Sequence, residues 1–173
     1  MPFGLKRLQA TGLTHFVTFT CYRRLRLLSS PMICEAVLAS LENMRKRYEV
    51  RVYGFVLMPE HVHLLLSEPG RGTLAEALQS LKSASARVSR RLHPPLRNTV
   101  RFWQKRYYDR YMRDHEDFVE KLRYIHRNPV TRQLCQRPED WPWSSFLHYA
   151  TGSDVGVEIE SEWTARQRSQ QTP

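Results

Sequence analysis

The chain has 173 residues, a length that suits one domain with a packed core and a short tail. It carries 27 Lys and Arg against 17 Asp and Glu, a formal net charge of +10, so a polyanionic partner is favoured, nucleic acid being the commonest. Its three cysteines, Cys21, Cys34 and Cys135, form no CxxC pair, which excludes a disulfide framework and a zinc knuckle. Along the chain, residues 15–22 (HFVTFTCY) alternate and are rich in β-branched and aromatic types, so they read as a strand. Ser30-Pro31 then supplies a helix N-cap and a first-turn proline, and Ile33, Val37, Leu41 and Met44 continue at helical spacing to about residue 48. Residues 50–58 (VRVYGFVLM) and 61–66 (HVHLLL) are two further strands, and the tight Pro59-Glu60 link makes them antiparallel. Thr73-Leu74-Ala75-Glu76 has the capping-box pattern ahead of a helix with Leu74, Leu78, Leu81 and Val88 on one face. A Pro-rich loop (93–98) follows, then a fourth strand (107–112). A last helix opens at Asp114 or His115, with Phe118, Leu122 and Ile125 toward the core, and Asn128-Pro129 ends it.

The order β-α-β-β-α-β-α resembles a split βαβ arrangement: an α+β, ferredoxin-like (RRM- or palm-like) sandwich, with helices packed on an antiparallel sheet. Residues 1–150 are read as this domain. From about residue 151 the chain is poor in apolar residues and ends in RQRSQQTP, which reads as a mobile tail. The N-terminus lacks a signal peptide's apolar stretch, and charges interrupt every long apolar run. A cytoplasmic, nucleoid-associated protein with no membrane partner is the expectation.

Two short patterns carry chemistry. In His61-Val62-His63 the imidazoles lie two apart on a strand, so they share a face and can hold one divalent cation. In Tyr124-Ile125-His126-Arg127-Asn128 the phenol and the amide lie four apart on a helix, so they are neighbours off the apolar stripe. Asn128 offers an oxygen that tilts a histidine pair toward Mg²⁺ or Mn²⁺, and Tyr124 offers a nucleophilic oxygen. Each pattern alone also has a plain structural reading. An HxH on a strand is usually incidental, Tyr124 can be a helix-flank aromatic, and Asn128 can simply end a helix before proline.

Taken together, GFVLMPEHVHLLL, FWQKRYYDRYMR, YIHRNPV and WPWSSFLHY, in that order, resemble the HUH-superfamily single-tyrosine transposases, and within them the REP-associated tyrosine transposases. The resemblance spans about residues 10–150. It implies that His61, His63 and Asn128 bind a divalent metal, Mg²⁺ or Mn²⁺, and that Tyr124 is the nucleophile. It also implies nicking and rejoining of single-stranded DNA, near hairpins of repeated extragenic palindromes, through a 5′-phosphotyrosine. Glu60 departs from the family, which commonly has Asn before HVH, and adds a carboxylate beside the metal. Monomer and homodimer both occur among such relatives.

A phenol with a pKa near about 10 is a poor nucleophile at neutral pH, and Lys121, one turn before Tyr124, is placed to favour the phenolate or is a solvated surface charge. Arg101, Lys105, Arg106 and Arg110 interleave with aromatics, as in proteins that track a single strand while stacking its bases. Arg87 and Arg90 can contact phosphates or only complement a helix C-terminus. Trp141-Pro142-Trp143 reads as packing the C-terminal segment onto the domain. Three rivals share parts of this pattern: a non-catalytic RRM-like nucleic-acid-binding module, a hydrolytic metallonuclease in which water attacks, and a rolling-circle replication initiator.

Overall fold

The computed structural model describes residues 13–98 and 101–171. Its main elements are β1 (Thr14–Thr20), α1 (Pro31–Tyr48), β2 (Val52–Leu57), β3 (His61–Ser67), α2 (Leu74–Leu92), β4 (Tyr108–Tyr111), α3 (His115–Thr131), α4 (Phe146–Thr151) and α5 (Glu162–Gln171). The strands form one sheet in the order β2-β3-β1-β4, and each neighbouring pair is antiparallel. This is the α+β sandwich that the element order implied. The capping box is present at Thr73, whose hydroxyl accepts from the Glu76 amide. Ser30 holds the N-cap position of α1 without a side-chain cap bond.

Strand alternation decides what each face of the sheet meets. Val17 and Phe19 on β1, Val62, Leu64 and Leu66 on β3, and Phe55 and Leu57 on β2 form one cluster with α1 and α2, through residues such as Ile33, Val37, Leu41, Leu78 and Leu81. Phe16, Tyr53, Val56 and Leu65 face the other way and pack against Phe118, Leu122 and Ile125 of α3. Helices therefore cover both faces. On β2 the register shifts between Val52 and Gly54, a bulge that turns both Tyr53 and Gly54 toward α3. A Cβ on Gly54 would lie 2.5 Å from Leu122 Cδ1, so glycine lets the helix approach this closely.

Two expectations from the sequence need correction. Asn128-Pro129 does not end the last helix, because α3 runs on to Thr131 with Pro129 inside it. Proline removes one N–H, but in the final turn the Arg132 and Leu134 amides still reach the Asn128 and Pro129 carbonyls, at 2.9 Å each. The segment read as a mobile tail is packed against the domain through residues 155–164, while 165–171 are exposed on α5. Val157 and Ile159 are buried. Ile159 pairs in parallel with Val52, and Ser144 antiparallel with Val56, so the C-terminal segment lines the outer edge of β2. That edge would otherwise expose unpaired backbone groups, and covering it outweighs the low apolar content of the segment. Trp141 anchors the preceding stretch, its indole N–H donating to the Leu57 carbonyl at 2.9 Å.

Candidate active site

The cleft lies on the α3 face, at the end of the sheet where β3 begins. It encloses about 280 Å³ and is lined by Thr18, Thr20, Arg24, His61, His63, Tyr124, Asn128, Thr131 and Arg132. β3 supplies the imidazoles from alternate positions, and both are buried. α3 supplies Tyr124 and Asn128, and Arg132 follows its last residue, so the three stand at four-residue intervals on its cleft side.

His61 Nε2 and His63 Nε2 lie 3.0 Å apart, and the Asn128 amide nitrogen lies 3.3 Å from His63 Nε2. The outer ring nitrogens are held from behind. Glu60 can only accept, so the His61 Nδ1–H donates to Glu60 Oε1 at 3.0 Å, which leaves His61 Nε2 with a bare lone pair facing the cleft. Thr18 Oγ1 lies 2.7 Å from His63 Nδ1 and can accept from it, leaving that Nε2 free as well. Burial, opposed by Glu60, lowers the imidazolium pKa of His61, and burial aided by His61, Lys121 and Arg132 pushes that of His63 down to about 3. Both rings are thus neutral near pH 7, the state a metal requires of its ligands. Burial opposes ionisation of Glu60, yet His61 and the Arg132 guanidinium more than offset it and hold the carboxyl below its ordinary range. Because His61 is neutral at pH 7, the arginine is the lasting partner.

The donor set fits a divalent cation. Asn128 Oδ1 is buried with no hydrogen-bond partner, a costly state for an amide oxygen, and a half-turn of the amide, whose nitrogen faces His63 Nε2 at 3.3 Å, would offer that oxygen to a cation. Two ligands at about 2.1 Å on adjacent corners of an octahedral ion stand about 3.0 Å apart, which is the spacing of the two Nε2 atoms. Among the described residues no three His, Cys, Asp or Glu side chains converge on one ion, and the third donor here is an amide. Two imidazoles and an amide are a mixed nitrogen–oxygen set, harder than the thiolate donors of a zinc finger.

Tyr124 is 47% exposed, and its ring centroid is 5.4 Å from that of His63. Phe16 supports it edge-on at 6.0 Å. The Lys121 ammonium lies over both rings, 5.5 Å from the Tyr124 centroid and 5.3 Å from that of Phe16. Lys121 therefore stands beside the phenol, as its spacing implied.

The other predicted basic residues divide. Arg110 is engaged within the fold: it donates to both oxygens of the buried Asp117 carboxylate, at 3.0 and 3.1 Å, and so ties β4 to the first turn of α3. Lys105 and Arg106 are exposed just after Gln104, whose amide donates to the Thr20 carbonyl at the cleft end of β1. Lys82 pins that loop by donating to the Gln104 and Lys105 carbonyls, at 2.6 and 3.1 Å. Arg101 is exposed in the same segment. Arg87 and Arg90 sit on α2, across the sheet from α3, and are not among the cleft-lining residues. Sequence reasoning did not single out Arg24, Arg132, Thr18 or the bonding of Glu60. Only the four-residue step from Asn128 to Arg132 was a signal, and it was hidden by ending the helix at Pro129.

Paired neutral imidazoles, a partnerless amide oxygen and a half-exposed phenol on one cleft suit phosphoryl transfer to a tyrosine. The chain belongs to the IS200-like transposases, whose family model matches residues 10–128. It is 28% identical over 124 residues to a Haemophilus influenzae protein assigned as a REP-associated tyrosine transposase, covering 68% of each chain. It is 26% identical over 96 residues to the REP-associated tyrosine transposase of Escherichia coli, covering 55% of this chain and 53% of that one. Its fold matches the structure of a REP-associated tyrosine transposase bound to a REP hairpin, with a TM-score of 0.65, 22% identity, and coverage of 85% of this chain and 86% of the other. Among the described residues, no helix is long and apolar enough to cross a membrane.

Proposed function

We propose that this transposase nicks and rejoins single-stranded DNA beside hairpins through a 5′-phosphotyrosine on Tyr124, with His61, His63 and Asn128 holding Mg²⁺ or Mn²⁺. The observation that carries this reading is the half-exposed Tyr124 ring 5.4 Å from the His63 ring, across a cleft whose Asn128 Oδ1 has no partner. When bound, the cation offsets negative charge on the oxygens of the scissile phosphate. The phenol oxygen of Tyr124 attacks phosphorus, its O–H proton leaves, the bond to the DNA 3′-oxygen breaks, and that oxygen takes up a proton to depart as a hydroxyl. A 3′-hydroxyl of another strand reverses the step, so strands are joined without ATP. Lys121 faces the attacking ring, and Lys105, Arg106 and Arg101 offer phosphate contacts along the strand. The hairpin substrate is carried over from the REP hairpin bound by the structural relative.

The test is incubation with hairpin-bearing single-stranded oligonucleotides and Mn²⁺ or Mg²⁺, followed by denaturing electrophoresis and mass mapping. Wild type should yield a covalent adduct on Tyr124. Tyr124→Phe should lose it, by at least about 10³-fold, while keeping its DNA affinity. Cleavage without an adduct would instead identify a hydrolytic nuclease, and binding without cleavage a recognition module.

A further inference from the structure

Two arginines at the mouth of the cleft share one acceptor. Arg132 Nη2 and Arg24 Nη2 lie 3.0 and 3.4 Å from Glu60 Oε1, the same oxygen that accepts from His61 Nδ1. Glu60 is almost wholly buried, while the Arg24 and Arg132 side chains are 63% and 47% exposed. One carboxylate cannot neutralise two guanidiniums, so the group keeps a net positive charge at the rim of a cleft that both arginines line. Arg24 reaches this place at a conformational cost. Arg23 and Arg24 are consecutive residues in the left-handed region, with φ of 53° and 55°, where side-chain-bearing residues are uncommon. The turn is tied back to the site, since the Arg24 amide donates to the Cys21 carbonyl and the Cys21 amide to the Glu60 carbonyl. Arg132 follows the last residue of α3, two turns beyond Tyr124, so it shares the tyrosine's side of the helix.

We propose that Arg24 and Arg132 form a clamp for a phosphodiester of the single strand at the nucleophile, pre-set by Glu60. Glu60 acts as a positioning residue with two duties: it turns the His61 Nε2 lone pair into the cleft and holds both guanidiniums at the rim. A planar guanidinium that gives one nitrogen to a carboxylate keeps others for a phosphate, so the clamp is filled without breaking its anchor. This rests on the function proposed above and adds residues to the same site.

Equilibrium binding in a Tyr124→Phe background tests it, because nothing there depends on cleavage. The probe is a hairpin oligonucleotide with a single-stranded extension, titrated at several salt concentrations in EDTA. Arg24→Ala and Arg132→Ala should each weaken binding about 5- to 10-fold and reduce the slope of log K against log salt by about 0.7, the share of one single-strand phosphate contact. Neither should reduce Mn²⁺ affinity measured calorimetrically without DNA. Arg166→Ala, a surface charge on α5, should leave the slope unchanged. Glu60→Ala should lower both, with Mn²⁺ affinity down at least about 10-fold through His61 and DNA binding in EDTA weakened as the two guanidiniums lose their anchor. Glu60→Gln, which keeps an acceptor for His61, should recover most of the metal affinity, and Glu60→Met, which removes the acceptor but keeps the bulk, should lose it and decides the matter if Glu60→Ala does not fold. Unchanged salt slopes in both arginine variants would overturn the clamp, and unchanged Mn²⁺ affinity in Glu60→Ala and Glu60→Met would overturn the positioning role. An adduct on Tyr124 in the wild type alongside unchanged slopes would sink the clamp and spare the proposed reaction. Reduced slopes with no adduct would do the opposite.

Discussion

On β3, adjacent residues serve two faces that differ in kind. Val62, Leu64 and Leu66 enter an apolar cluster closed over by α1 and α2. His61 and His63 point the other way, where α3 covers only part of the sheet. Near Leu65 the α3 face is packed by Phe118, Leu122 and Ile125, and toward the start of β3 it opens into the cleft. The closed face gains from removing every side chain from water. The open face keeps neutral imidazoles and a partnerless amide oxygen half-sealed, a costly arrangement in a core but a suitable one for a cation. The candidate site occupies the place where the second layer of the sandwich stops short.

Residues 63 and 64 separate the faces most sharply. Leu64→Ala should cost about 2–5 kcal/mol of stability through the cavity it leaves, read as a lower denaturation midpoint, with the cleft chemistry intact in whatever protein stays folded. His63→Ala should change stability by about 1 kcal/mol or less, because the cleft opens to water. It should cut Mn²⁺ affinity and adduct formation by at least about 10²-fold. If His63→Ala proved as destabilising as Leu64→Ala, the distinction between the faces would fail.

The pH dependence of stability probes how α3 is held from its far side. His126 Nε2 lies 2.8 Å from Ser145 Oγ, and burial pushes its imidazolium pKa down to about 4. The unfolded chain takes up this proton below about pH 6.5, whereas the folded chain resists until about pH 4. Stability from this group is therefore full above pH 6.5 and falls as pH drops toward 4, by on the order of 3 kcal/mol at most. His126→Gln should flatten that part of the profile in a pH series of denaturation curves. A profile identical to wild type would mean that other groups carry the acid sensitivity.

Gly54→Ala breaks the packing of α3 more gently than Leu64→Ala breaks the other face. Its Cβ would meet the end of the Leu122 side chain at 2.5 Å, and that side chain must swing aside. The expected cost is about 1–3 kcal/mol. Adduct formation should fall more than DNA binding, because α3 carries Tyr124 and Asn128 together. Equal loss of both would argue that the helix does not set the nucleophile's position.

Periodicity made much of this legible in the sequence. Alternation put His61 and His63 on one face and the apolar set of β3 on the other. The four-residue step put Tyr124 beside Asn128, and the capping box announced α2. These depend on chain geometry over a few residues, which sequence spacing encodes directly. The tertiary structure alone decided that α3 crosses the sheet opposite α1 and α2, with the Tyr124 ring beside that of His63, and that Arg110 is taken by Asp117. It also decided that Arg24, Arg132 and Glu60 meet, and that residues 157–159 close the β2 edge. Each of these joins groups distant along the chain, and such meetings are set by which surfaces must be buried and which backbone edges paired, conditions no local window of residues contains.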